Sequence, residues 1–185
     1  MKTNCIIVHG CPSSPVSSDE YAGHWMPWFK DELIKNGIET QIALMPKPWA
    51  PEYSEFKNAI INYNINEDTI LIGHSCGCAF LVRWLGETKT KVKKLILVAP
   101  WKAIPKNDEF RKSFYGYQID RDVKNQVGEI VMFTSNNESE EGKISLKEYQ
   151  NVLGGKIISV ENMGHFTYKD MGKKDFPELL TEILN

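Results

Sequence analysis

The chain has no apolar run long enough to cross a bilayer, and neither sign of charge dominates it. Its 22 Lys and Arg stand against 24 Asp and Glu, a formal net charge of -2. That balance gives no electrostatic footprint for nucleic acid, so the expected partner is a small-molecule substrate, with no nucleic acid and no membrane span. No protein partner is readable. Cysteine is scarce at four residues, and Cys5, Cys11, Cys76 and Cys78 do not have the look of a disulfide framework. Unpaired thiols suggest a reducing compartment, so the expected location is cytoplasmic. A zinc site would draw on Cys76-x-Cys78, but that pair falls where a helix should begin and no second spaced pair exists, so neither metal nor cofactor is expected. The first residues enter an apolar run too short for a secretory core and lack a small-residue cleavage site. Repeats, low-complexity tracts and linkers are also missing, and 185 residues suffice for one well-buried core, which gives a single domain over 1–185.

What the chain does have is alternation. Apolar runs at Cys5–Val8, Thr69–Ile72 and Lys94–Ala99 read as buried strands, and Ile38–Leu44, Glu129–Phe133 and Lys156–Val160 read as three more strands. Between them lie helical spacings: a helix opened by Pro27 and closed at Asn36-Gly37, then Glu52–Tyr63, Ala79–Leu85, Ser145–Leu153 and a tail from Asp175. The segment from Trp101 to Val127 has room for short helices only. Strand and helix in turn predict an α/β fold, a doubly wound, mostly parallel six-stranded sheet with helices on both faces. Ligand sites in such sheets lie at the carboxyl ends of the strands, where His9, Ser75, Trp101, Thr134 and His165 should all fall.

Gly73-His74-Ser75-Cys76-Gly77 sits between the third apolar run and a helical stretch. A G-x-S-x-G pattern in that setting is a nucleophile elbow: the turn forces the serine into a strained conformation, and a side chain on either glycine would collide with neighbouring backbone. Ser75 would then stand at a helix N-terminus, which favours developing negative charge. A serine nucleophile requires a base. Of the four histidines, His9 reads as part of a turn, His24 as an early loop residue, and His74 as an elbow residue facing away from the serine pocket. His165, in the loop leaving the last strand, fits the chain order Ser, acid, His. The acid should follow the fifth strand, where Thr134-Ser135-Asn136-Asn137-Glu138-Ser139-Glu140-Glu141 contains no aspartate. Glu138 is the candidate carboxylate; Asn137 could instead hold the imidazole by a hydrogen bond without stabilising its charge. For the oxyanion hole the candidates are the backbone N–H groups of Cys76 and Cys11, since Pro12 has none. Trp101, Trp49 and His9 are candidates for a substrate pocket.

The blocks His9-Gly10-Cys11-Pro12-Ser13-Ser14, Met45-Pro46-x-Pro48, Gly73-His74-Ser75-Cys76-Gly77, Leu97-Val98-Ala99-Pro100-Trp101 and Gly164-His165-Phe166 span nearly the whole chain. Together they resemble the small serine hydrolases of the YdeN and retinoblastoma-binding-protein-9 type, within the α/β-hydrolase superfamily. The resemblance implies a compact hydrolase with little or no cap, Ser75 as nucleophile and His165 as base, cleaving a small ester, thioester or amide. Members of that family usually carry an aspartate where this chain reads Asn136 to Glu138, which leaves a second reading: a binding or scaffold protein on a hydrolase fold.

Overall fold

The computed structural model describes residues 2–12, 14–15, 24–104 and 106–185, so part of the loop that follows the first strand, residues 13 and 16–23, lies outside the described residues. Six strands form one parallel sheet: β1 (Asn4–Val8), β2 (Glu39–Ala43), β3 (Thr69–His74), β4 (Val92–Val98), β5 (Val127–Ser135) and β6 (Lys156–Val160), in the order β2-β1-β3-β4-β5-β6. The chain starts at β1, steps outward to β2, then crosses back to β3 and proceeds the other way. Strand order therefore reverses between β1 and β3, and these two central strands pair from Asn4↔Thr69 to Val8↔Gly73. A crevice opens above their carboxyl ends at such a reversal.

The sheet is buried on both faces because successive side chains of a strand point to opposite sides. Ile6, Val8, Leu71, Leu95, Leu97 and Met132 face one way. There they meet Phe56 of α2 (Tyr53–Ile60), Phe80 and Leu81 of α3 (Cys76–Thr88), Phe114 of α4 (Glu109–Tyr115), and Tyr149 and Leu153 of α5 (Glu140–Leu153). Ile7, Ile70, Ile72, Ile96, Val98, Val131 and Phe133 face the other way. They pack against Trp25, Phe29 and Leu33 of α1 (Trp25–Lys35), Met171 of α6 (Tyr168–Met171), Phe176, and Leu179 of α7 (Pro177–Leu184). Every one of those sheet residues is at most 4% exposed, and each buried Ile, Leu or Val contributes about 1.5–3 kcal/mol.

Element ends differ from the sequence reading where capping chemistry decides them. α5 begins at Glu140, five residues before Ser145, because the Ser139 hydroxyl accepts the Gly142 N–H at 3.1 Å and Glu140 and Glu141 occupy the electropositive first turn. α1 begins at Trp25, so Pro27 falls in the first turn, where its missing N–H has no intrahelical acceptor to lose. β3 runs on through Gly73 and His74 to the elbow itself. Between β4 and β5 lie α4 and one 3-10 turn, Arg121–Asn125. Among the described residues no helix is long and apolar enough to cross a membrane.

Candidate active site

Ser75 joins β3 to α3 with φ 52° and ψ -118°, a conformation that L side chains seldom adopt and that costs roughly 1–3 kcal/mol. Three features hold it there. The Ser75 N–H donates to the Val98 carbonyl of β4 at 3.0 Å, and the chain turns at once into α3, where Cys78 N–H returns to Ser75 O at 3.0 Å. Two glycines give the turn its room: a Cβ on Gly73 would stand 2.7 Å from Cys78 N, and one on Gly77 only 2.4 Å from the Val8 carbonyl oxygen. Backbone on both sides leaves neither clash a way to relax.

The imidazole of His165 lies over this serine. Its Nε2 is 2.8 Å from Ser75 Oγ, and its Nδ1 is 2.8 Å from Glu138 Oε2. A carboxylate oxygen can only accept, so Nδ1 carries the proton and Nε2 presents a lone pair to the serine hydroxyl. Glu138 has a side chain only 3% exposed, and its other oxygen accepts the Ser139 N–H at 2.7 Å. Space for this carboxyl is made by Gly142, whose Cβ would fall 2.6 Å from Glu138 Cδ. Asn137, the other candidate for the third position, turns elsewhere: its Oδ1 accepts the Gly164 N–H at 2.8 Å and the Ser135 hydroxyl at 2.6 Å. Ser135 Oγ in turn accepts Met163 N–H, and Asn136 Oδ1 accepts Asn162 N–H. Three side chains, that of the last residue of β5 and those of the two residues after it, thus fasten the loop that carries His165.

Sequence reasoning missed this clamp and also the part taken by His74. Its side chain does stay off the serine cleft, but it is buried beneath it, and Nε2–H donates to the His165 carbonyl at 2.8 Å. Burial, with His24 and His165 close by, holds the His74 pKa well below the ordinary value, so the ring is neutral. His24, whose ring stands 5.2 Å from that of His74, is pushed down to about 4, chiefly by burial. His9 forms part of the turn after β1, donating from Nδ1 to Gly10 O at 2.8 Å and accepting Met45 N–H on Nε2 at 3.2 Å. Burial lowers its pKa as well. The alternation along β3 was a usable signal for His74, because position 74 shares its side of the sheet with Ile70 and Ile72.

Cys11 and Cys76 overturn the expectation that the cysteines are unpaired. They form a disulfide, with Cα atoms 5.5 Å apart across 65 residues of sequence. The reason is topological: Cys11 follows the end of β1 and Cys76 opens α3 just past the end of β3, and the parallel pairing of these strands sets the two strand exits side by side. Cysteine spacing along the chain holds no trace of that, and the inference of a reducing compartment loses its ground at this pair. Cys5 and Cys78 are free and buried, and burial pushes both thiols up.

A cleft of about 710 Å³ opens over the serine, lined among others by Cys11, Ser75, Trp101, Arg111, Glu138 and His165. The Trp101 indole meets the His165 ring edge-on, with centroids 5.2 Å apart. Arg111 is committed within the protein, donating to Asp108 Oδ2 at 2.7 Å and to the Pro12 carbonyl at 3.0 Å. Trp49 and His9 do not line this cleft; Trp49 is 40% exposed in the connection between β2 and α2.

A family model described as serine hydrolase matches residues 5–183. The hydrolase YdeN of Bacillus subtilis is 25% identical over 185 aligned residues, covering 96% of this chain and 92% of its own. The crystal structure of the B. subtilis ydeN gene product superposes with a TM-score of 0.83 at 22% identity, covering 99% of this chain and 97% of that one. Est1E from Butyrivibrio proteoclasticus, solved with ferulic acid bound, superposes with a TM-score of 0.66 at 14% identity, covering 98% and 86%.

Proposed function

Because the chain belongs to the serine hydrolase family and has the α/β-hydrolase fold, we propose that it cleaves a small ester, thioester or amide through an acyl-enzyme on Ser75. The observation that carries this reading is the unbroken relay of two 2.8 Å hydrogen bonds from Ser75 Oγ through His165 to Glu138, opening on a cleft. Ser75 Oγ attacks the substrate carbonyl while His165 Nε2 takes its proton. Glu138 keeps the proton of the imidazole on Nδ1 and stabilises the cation that forms. The oxyanion is received by the N–H groups of Cys11 and Cys76, neither of which donates to a backbone carbonyl among the described residues. His165 then protonates the leaving group, and water, deprotonated by the same nitrogen, clears the acyl group.

Trp101 forms one wall of the acyl or leaving-group pocket. Est1E holds ferulic acid on a related fold, so a phenolic acyl group is a reasonable first substrate beside short-chain acyl groups. The test is labelling with a fluorophosphonate probe together with turnover of nitrophenyl acetate, butyrate and a feruloyl ester. Wild type should label and turn over, and Ser75→Ala should do neither. A wild type that neither labels nor hydrolyses any of the esters would overturn the reading in favour of a binding protein on a hydrolase fold.

A further inference from the structure

The disulfide joins the same two residues whose backbone N–H groups form the proposed oxyanion hole, which makes its position more specific than a staple between two loops. Cys76 is the first residue of α3 and fixed by the elbow. Cys11 is in a loop with no secondary structure, held at three successive residues. Gly10 lies against the elbow, where an added Cβ would come within 3.3 Å of Ser75 Cβ; Cys11 is bonded to Cys76; and the Pro12 carbonyl accepts from Arg111 at 3.0 Å. Only the middle tether is covalent, and only that one depends on redox state.

We propose that the Cys11–Cys76 bond is a positioning clamp that sets the second oxyanion donor, and that thiol–disulfide exchange at this bond modulates hydrolysis. The inference rests on the serine-hydrolase reading above. Oxyanion stabilisation depends on donors held within tenths of an ångström of the developing charge, and displacement by about 1 Å is enough to lose much of the rate. With the bond open, Cys11 N–H is placed by its neighbours alone.

Access has a direction. Cys11 is partly exposed and lines the cleft, whereas Cys76 is fully buried. A small thiolate therefore attacks Cys11 Sγ, the Sγ–Sγ bond breaks, and the electron pair leaves on Cys76 Sγ at the N-terminus of a thirteen-residue helix, which stabilises a thiolate. A second thiolate then attacks the small-molecule sulfur of that mixed disulfide, the bond to Cys11 Sγ breaks with the electron pair leaving on Cys11, and the small disulfide is released. In sum, two small thiols are oxidised to one disulfide, and Cys11 and Cys76 are reduced to two thiols. A small-molecule disulfide closes the bond again by the reverse sequence.

The experiment is steady-state hydrolysis of nitrophenyl butyrate by full-length protein, before and after dithiothreitol, with thiols counted under denaturing conditions and Tm recorded alongside. Opening the bond should raise the count from two to four and lower kcat by roughly tenfold with KM changed less than twofold, and oxidised glutathione should restore both. Cys11→Ser and the Cys11→Ser/Cys76→Ala pair should match the reduced wild type and ignore the reductant. A reduced wild type with lower Tm but unchanged kcat overturns the proposal and leaves the bond a purely structural link. Variants that remain sensitive to reductant also overturn it, since Cys5 or Cys78 would then be responsible. Either result leaves the hydrolase reading standing, whereas an oxidised wild type with no activity and no probe labelling removes both.

Discussion

Replacing Glu138 by glutamine exchanges one oxygen for an NH2 group and leaves size and shape nearly unchanged, which makes it the sharpest probe of the relay. Both carboxylate oxygens are in use, one accepting Ser139 N–H at 2.7 Å and the other His165 Nδ1–H at 2.8 Å. An amide has a single acceptor oxygen, so one of the two N–H groups must face another donor. If the amide oxygen stays on Ser139, its NH2 meets His165 Nδ1, and the imidazole answers by moving its proton to Nε2. That nitrogen then points a hydrogen at Ser75 and can no longer take one. The wrong tautomer should lower kcat by roughly 10³–10⁴, equivalent to about 4–5.5 kcal/mol on the barrier. If the oxygen turns to His165 instead, the part-buried Ser139 N–H faces the NH2 group, with a stability loss of about 1 kcal/mol. Ester hydrolysis and a urea melt on the same preparation separate the two effects. A folded Glu138→Gln protein whose kcat falls less than tenfold would refute the assignment of Glu138 as the acid.

Further outcomes follow from the same geometry. Asn137→Ala removes the acceptor for Gly164 N–H and loosens the base without removing the charge beside it, so kcat should fall roughly ten- to a hundredfold while the probe still labels Ser75; a larger loss than that of Glu138→Ala would hand the third position to Asn137. Gly77→Ala puts a Cβ 2.4 Å from the Val8 carbonyl of a central strand, and the urea melt should show a loss of about 3 kcal/mol or more; a melt within 1 kcal/mol of wild type would contradict the close approach. His9, His24 and His74 all have pKa values lowered in the folded state, His24 to about 4. A histidine kept neutral by folding takes up its proton in the unfolded chain first, so stability is complete above about pH 6.5 and declines below it, by up to about 1.4 kcal/mol per pH unit for each such group. Urea midpoints measured from pH 7.5 to pH 5 should decrease, and replacing His74 with phenylalanine should flatten that slope; midpoints level over the range would contradict neutral burial.

How much of this was legible in advance follows from which interactions are local. Strand positions such as Cys5–Val8 and Lys94–Val98 can be read because a strand buried on both faces leaves an unbroken apolar run. The elbow is legible since Gly73, Ser75 and Gly77 answer to steric demands within five residues, although the atoms that impose them, Cys78 N and Val8 O, are visible only in three dimensions. His165 and Glu138 could be nominated by chain order, but what divides Glu138 from Asn137 is side-chain direction after β5, one turning to the imidazole and the other to the Gly164 N–H. The bond between Cys11 and Cys76 depends on β1 lying next to β3, a fact of strand order that no local pattern encodes. Aromatic character alone makes Trp49 a pocket candidate, but the path of the β2–α2 connection leaves it away from the cleft. The start of α5 is a matter of capping: Ser139 outranks the apolar spacing that begins at Ser145.

The most direct measurement is acid quenching of the protein within its first turnovers on a nitrophenyl ester, followed by mass spectrometry of the peptide that contains Ser75. One acyl group is expected on Ser75, absent from Ser75→Ala and accumulating in Glu138→Gln only as slowly as that variant turns over. Turnover with no acyl group on any serine, or with the acyl group on another residue, would contradict it.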